Sequence, residues 1–405
     1  MEEKNKYCSI PLLVFAVLNF ISIALGNLFL GIATVGFIFC LFKKKYNTII
    51  IDTKYFYAIF LFSATMLLSA LFSGDVILGI KEWKELGLYR IMPFFIVTMA
   101  INNIFETKKI LLSSIIGITI TSLYIIYQGI SGVGRPGALY NNAMVFAGLF
   151  CIYLPIILIC FMDERIFKNK RWLLGISFFI CLLALAFNAT RGAWLALAPI
   201  MLFIVGYYIF NKNEIAIICL IMFLATGAGL SQYKPFVARL STVTNTNVLY
   251  SSNIERVLVW KSAGNMFIDH PVLGVGLGQY IDNYQHKYIL PEAKEKHLRH
   301  AHNNFMQMLA ENGIIGFIGF CGLIVCFVGY SFVRFWKQRD PYTLMMTMSA
   351  LALFLQGLTE YNFGGSAIMK NFWLMQGCLY ILSNSLDKDK KLIENNSVDS
   401  IDVLK

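Results

Sequence analysis

Twelve apolar runs, each close to the ~20 residues that a helix needs to cross a bilayer, constrain this chain more than any other feature of it. They lie near residues 9–25, 27–42, 55–73, 86–101, 110–130, 142–161, 172–190, 192–210, 214–231, 314–333, 342–358 and 367–384. The runs are continuous rather than alternating with period two, and lipid admits only helices or closed barrels, so the expected fold is all-α. That fold is a polytopic membrane protein of about twelve transmembrane helices. Composition agrees, since 58% of the 405 residues are hydrophobic and only 14% are charged, which no soluble domain shows. The nine cysteines are scattered through the apolar runs without a CxxC pair and read as small core residues, so a disulfide-stapled secreted fold is excluded.

The net charge of +11 is a topology signal before it is anything else, and no nucleic-acid partner is expected. With a cytoplasmic N-terminus, the inner segments collect most of the basic residues. These include Lys4, Lys43, Lys44, Lys45, Lys108, Lys109, Arg165, Lys168, Lys170, Arg171, Arg334, Lys337, Arg339, Lys388, Lys390, Lys391 and Lys405. Both termini then face the cytoplasm, and the segment from 232 to 303 faces outward between the ninth and tenth spans. The organisation expected is a nine-helix membrane region over 1–231, a large periplasmic loop over 232–303 with short helices, C-terminal membrane helices over 304–384, and a charged tail over 385–405 without order. A cleaved signal peptide is not expected, because the first residues balance two acids against two lysines and no small-residue cleavage site precedes the second run.

The long loop holds all five histidines, His270, His286, His297, His300 and His302, so function should concentrate there. Its basic residues, which include Lys234 and Arg239, outnumber its acidic ones, which favours an anionic partner. Ser252 and Glu255 have capping-box spacing and open a helix that ends before Pro271, with Arg256 and Trp260 on a shared face.

Three polar clusters stand at the outer ends of spans. In Asn188-Ala189-Thr190-Arg191-Gly192-Ala193-Trp194 an arginine occupies the junction of two apolar runs; it reads either as a side chain snorkelling to headgroups or as an anion clamp at a helix N-terminus. Arg256 alone would be a surface charge on its helix, paired with a neighbouring acid. In His300-Ala301-His302-Asn303-Asn304, ahead of a short helix closed by Gly313, an imidazole near the membrane boundary is suited to general-base work. His-x-His also occurs in metal sites, but no third ligand stands nearby at a diagnostic spacing, so no metal or other cofactor is expected. The Gly274-Val275-Gly276-Leu277-Gly278 stretch lacks the βαβ context and the lysine of a phosphate loop and reads as a flexible re-entrant or interfacial turn. Gly132 to Gly137 reads as a turn that carries one more outer arginine, Arg135.

These pieces, taken in order, resemble the O-antigen ligase and O-antigen polymerase superfamily. The resemblance rests on Thr190-Arg191-Gly192-Ala193-Trp194, on Arg256 with Trp260, on His270-Pro271-Val272-Leu273-Gly274 through Gln279, and on His302-Asn303-Asn304-Phe305-Met306-Gln307 with Glu311-Asn312-Gly313-Ile314-Ile315-Gly316. It spans roughly residues 130–330 and does not reach the first hundred. Thr190 departs mildly from the family, which more often has serine or another small residue there.

The resemblance implies a multi-spanning protein of the bacterial inner membrane with its active site facing the periplasm. It implies metal-independent, inverting transfer of a glycan from undecaprenyl diphosphate onto a lipid A-core or other glycan acceptor, as in an O-antigen ligase of lipopolysaccharide biosynthesis. Carried over by position, Arg191, Arg256 and His302 would be catalytic; Arg135, His300, Trp260 and Asn303 are expected to bind substrate beside them. A repeat-unit polymerase of O-antigen or capsule shares donor and motif and is the nearest rival. A secondary transporter or flippase fits less well, because all 23 acidic residues fall outside span centres and the long loop spoils a six-plus-six repeat.

Overall fold

The computed structural model describes residues 6–43, 52–101, 103–231, 237–238, 241 and 252–402. Among them no strand occurs, and helix accounts for nearly everything. In chain order the helices are α1 (Lys6–Leu18), α2 (Ile23–Phe42), α3 (Thr53–Leu71), α4 (Val76–Trp83), α5 (Met92–Phe95), α6 (Ile104–Ile130), α7 (Ala143–Met162), α8 (Glu164–Phe167), α9 (Arg171–Asn188) and α10 (Arg191–Phe210). After them come α11 (Glu214–Ser231), α12 (Ser252–Asp269), α13 (Tyr280–Asn283), α14 (Asn304–Ile324), α15 (Ser331–Gln338), α16 (Pro341–Gln356) and α17 (Ser366–Asp402). Lys4, Lys44, Lys45, Lys234, Arg239 and Lys405, which enter the charge argument above, lie outside the described residues.

Among the described residues, seven segments are long and apolar enough to cross a membrane: α2, α3, α6, α7, the α8–α9 stretch, α10 and the continuous α14–α15 stretch. The chain is therefore a multi-pass membrane protein by length and composition. The remaining expected spans take other forms. Helix α1 is 13 residues and α16 is 16, short of the ~20 that a straight crossing uses. The run near 86–101 is broken into wide and tight turns around α5, where Pro93 has no N–H for the ladder. The segment after Leu386, expected as a tail without order, instead prolongs α17 to Asp402; it contains no proline and no glycine to stop the helix.

Helix α7 is the centre of the bundle, with 89% of its apolar window buried. It packs against α9, α10 and α16, while α3 packs along α14. With alternating helix directions, the α6–α7, α9–α10 and α16–α17 connections and the start of α14 come to one end of the bundle.

The expected helix after Ser252 is α12, and the expected stop at Gly313 is a break inside α14, where Gly313 has φ 58°. The break frees two N–H groups, which Pro271 and Val272 accept: Ile314 N donates to Pro271 O at 2.8 Å and Ile315 N to Val272 O at 3.3 Å. The adjoining glycine loop is a held turn, not a flexible one. Gly274, Gly276 and Gly278 all have positive φ, and Val275 N and Gly276 N donate to Ala310 O and Glu311 O at 2.8 and 3.1 Å. Ser69 Oγ donates to Leu273 O and Glu311 O, and the buried Glu311 carboxylate accepts from Tyr280 N at 3.1 Å. A Cβ at Gly313 would meet the Val272 backbone. Gly313→Ala should therefore cost roughly 2–5 kcal/mol, from the left-handed φ plus overpacking, read as a lower melting temperature of the purified protein.

Candidate functional site

Helix α10 begins abruptly. Ala189 takes the left-handed conformation at φ 56°, Thr190 is the N-cap, and Arg191 is the first helical residue, so its side chain stands at the amino end of the helix. Asn188 then ties the preceding arginine loop to this corner, donating to Pro136 O at 3.0 Å and to Ala143 O at 2.9 Å. Gly192 lets the next connection approach, since a Cβ there would strike the Thr359 side chain. The result is a narrow cleft of about 40 Å³ lined by Arg135, Arg191 and Arg256 together with Thr190, Gln356, Thr359 and Glu360. A larger and mostly apolar groove near Phe203, Tyr207 and Trp336, also lined by Arg165, Asn211 and Arg339, lies at the far end of α10.

Three guanidiniums against one carboxylate make the cleft electropositive at the helix amino end, a setting for an anion. Arg191 Nη2 donates to Asn253 Oδ1 at 3.0 Å, which fixes its reach toward α12. Thr190 Oγ1 and Gln356 Nε2 are buried at the cleft without a hydrogen-bond partner among the described residues, as suits groups that face a ligand.

The second half of the site is a relay onto His302. The Glu360 carboxylate accepts from His302 Nδ1, at 2.9 Å to Oε1 and 3.1 Å to Oε2, and its Oε2 lies 3.6 Å from Arg256 Nη2. An ionised carboxylate only accepts, so the Nδ1 proton belongs to His302, and in the neutral form of the ring it is Nε2 that carries the lone pair. Burial pushes the Glu360 carboxyl up, but the hydrogen bond from His302 and the charges of His302, His300 and Arg256 outweigh it and hold the group below its ordinary value. His302 itself sits at φ 49°, a conformation unusual for a non-glycine residue and common at functional sites.

The backbone around it is clamped. Ala301 N donates to Gln307 Oε1 at 2.7 Å, and Ala301 O accepts from Trp260 Nε1 at 3.0 Å. Asn303 caps α14 through Phe305 N and Met306 N and donates to Leu358 O at 2.9 Å; Asn304 N donates to Gly357 O at 2.7 Å. These bonds carry the 357–360 turn, and so Glu360, against the histidines.

Of the residues singled out from sequence, the structure thus gathers Arg135, Arg191 and Arg256 in one cleft and joins His302 and His300 to its Glu360 wall. Trp260 and Asn303 make scaffold contacts in it. His286 pairs with the exposed Asp282 and His297 with Gln285, away from this group.

Sequence reasoning missed Glu360. The signal was present: an ionisable residue in a short connection between two apolar runs, the same feature that drew attention to Arg191. It is also the third group that the His-x-His reading lacked, 58 residues away in the chain.

Burial pushes the His300 imidazole down to about 4; the His302 charge adds to this, Glu360 opposes it and Arg256 adds again. With a folded value below the unfolded one of about 6.5, the unfolded chain takes up the proton first as pH falls. This contribution to stability is complete above pH 6.5 and is lost toward pH 4. The melting temperature should fall across that window, and His300→Gln should flatten the fall, by about 3 kcal/mol at most. Glu360, whose folded value is depressed, loses its contribution only further to the acid side.

The O-antigen ligase family model matches residues 176–321. That stretch contains Arg191, Arg256, His300 and His302 and ends before Glu360. No curated protein matches the chain significantly.

Proposed function

We propose, from the premise that residues 176–321 belong to the O-antigen ligase and polymerase superfamily, that the chain transfers a glycan from undecaprenyl diphosphate to a lipid A-core acceptor at the outer face of the bacterial inner membrane. The observation that carries this reading is the convergence of Arg135, Arg191 and Arg256 in one cleft whose wall, Glu360, holds His302.

The chemistry follows from those groups. An acceptor hydroxyl attacks the anomeric carbon while the bond from that carbon to the diphosphate oxygen breaks. The hydroxyl proton goes to His302 Nε2, and Glu360 stabilises the imidazolium that results. Negative charge gathers on the departing diphosphate, where Arg191 and Arg256 grip it through paired N–H groups and Arg135 adds a third positive charge. One displacement from the face opposite the leaving group inverts the anomeric centre. Fixed guanidiniums supply the charge stabilisation that a metal ion supplies elsewhere, so the transfer is metal-independent. Trp260 and Asn303 serve by holding the His300–Asn303 segment in register, and His300 lines the acceptor side.

A polymerase that joins repeat units would use the same donor and the same groups. Deleting the gene and separating the surface glycan on a gel distinguishes the two: bare core is expected for a ligase, and core with a single repeat unit would assign a polymerase. A wild-type ladder after deletion would remove both readings.

A further inference from the structure

His300, His302 and Glu360 are also a ligand set. Each offers one donor atom, and the three atoms lie within 4.8 Å of one another. His302 Nδ1 is 2.9 Å and His300 Nδ1 3.9 Å from the same carboxylate oxygen, Glu360 Oε1. A tetrahedral zinc ion, with bonds of about 2.0–2.2 Å, spaces its ligands roughly 3.4 Å apart, so the observed separations bracket the required one. Two imidazoles and a carboxylate with a fourth position open suit zinc and its neighbours and do not suit magnesium, which prefers oxygen. The backbone that carries the histidines is already clamped by Trp260 and Gln307, so little ordering remains to be done on binding.

We propose that His300, His302 and Glu360 form an inhibitory site for a zinc-like transition-metal ion. The ion takes Nδ1 of His302 and Oε1 of Glu360, exchanges the bond from His302 N to His300 Nδ1 for a metal bond, and leaves Glu360 Oε2 to Arg256. The proton displaced from His302 Nδ1 moves to Nε2. The nitrogen that should accept the acceptor's proton is then already protonated, and transfer stops. The neighbouring Arg256 charge keeps the ion weaker bound than a structural zinc, which makes the block reversible. The inhibition, though not the metal site itself, rests on His302 being the base.

The test uses full-length protein in nanodiscs, stripped with EDTA and free of donor, titrated with zinc chloride against a fluorescent zinc indicator. One bound equivalent is expected, at least tenfold weaker in His300→Gln and in Glu360→Gln and unchanged in His286→Gln, with no competition from a thousandfold excess of magnesium. In the transfer assay, zinc should stop the wild type and EDTA restore it. Relative to each protein's own zinc-free rate, inhibition of His300→Gln should need at least tenfold more zinc than inhibition of the wild type, whereas chelation of the donor diphosphate would act on both at the same zinc concentration. A wild type that binds no zinc, or variants that bind it as tightly as wild type, would overturn the site. Zinc bound at the site with undiminished transfer would overturn the inhibition. A wild type without transfer under any condition would instead remove the functional reading, with the binding curves still deciding the metal site.

Discussion

Arg191→Lys and Arg256→Lys should each lower the rate of glycan transfer by on the order of 10²–10³ while leaving the protein inserted and folded. Lysine keeps the positive charge but not the planar fork, so a site that grips a diphosphate through paired N–H groups loses most of its advantage, whereas a headgroup contact would tolerate the exchange. The positions differ in what else they lose. Arg191 also gives up its bond to Asn253, and Arg256 its ion pair with Glu360, so Arg256→Lys should in addition disturb the histidine relay. Because both grip one leaving group, the double variant should fall short of the product of the single effects. Full activity in either lysine variant, measured at matched expression, would remove that residue from the site.

Glu360→Gln should lower kcat by on the order of 10²–10⁴ with little change in KM for the donor. Glutamine matches the carboxylate in shape but can present an N–H to His302 Nδ1, which favours the tautomer with its proton on Nε2 and removes the base. It also leaves the imidazolium without its counter-charge. Glu360→Asp, which keeps the charge on a shorter arm, should recover part of the rate and the shape of the pH profile. A purely structural role would instead show as a lower melting temperature with kcat preserved in whatever protein remains folded.

How much of this was legible in the chain depends on the reach of each interaction. Apolar runs and caps are local, so α12, the break at Gly313 and the abrupt start of α10 at Arg191 could be read directly. The shared face of Arg256 and Trp260 followed from helical spacing, and the two side chains reach Glu360 and Ala301, neighbours across the site. The glycine loop was misjudged as flexible because its partners, Ser69, Ala310 and Glu311, come from two other helices. Glu360 was missed for the same reason, since its meaning depends on a histidine 58 residues earlier and on the asparagines that dock its turn. The irregular stretch around α5 and the shortness of α16 reflect helix-level geometry that average hydropathy does not carry.

The most direct test of the account is transfer by purified His302→Ala from an undecaprenyl-diphosphate glycan to its acceptor, with donor binding measured on the same sample. His302 lies at a loop-to-helix boundary and is partly exposed, so its truncation should leave folding and donor binding close to wild type. The account predicts donor bound by the arginines and a transfer rate reduced by on the order of 10²–10⁴. Near-wild-type transfer by His302→Ala would contradict it.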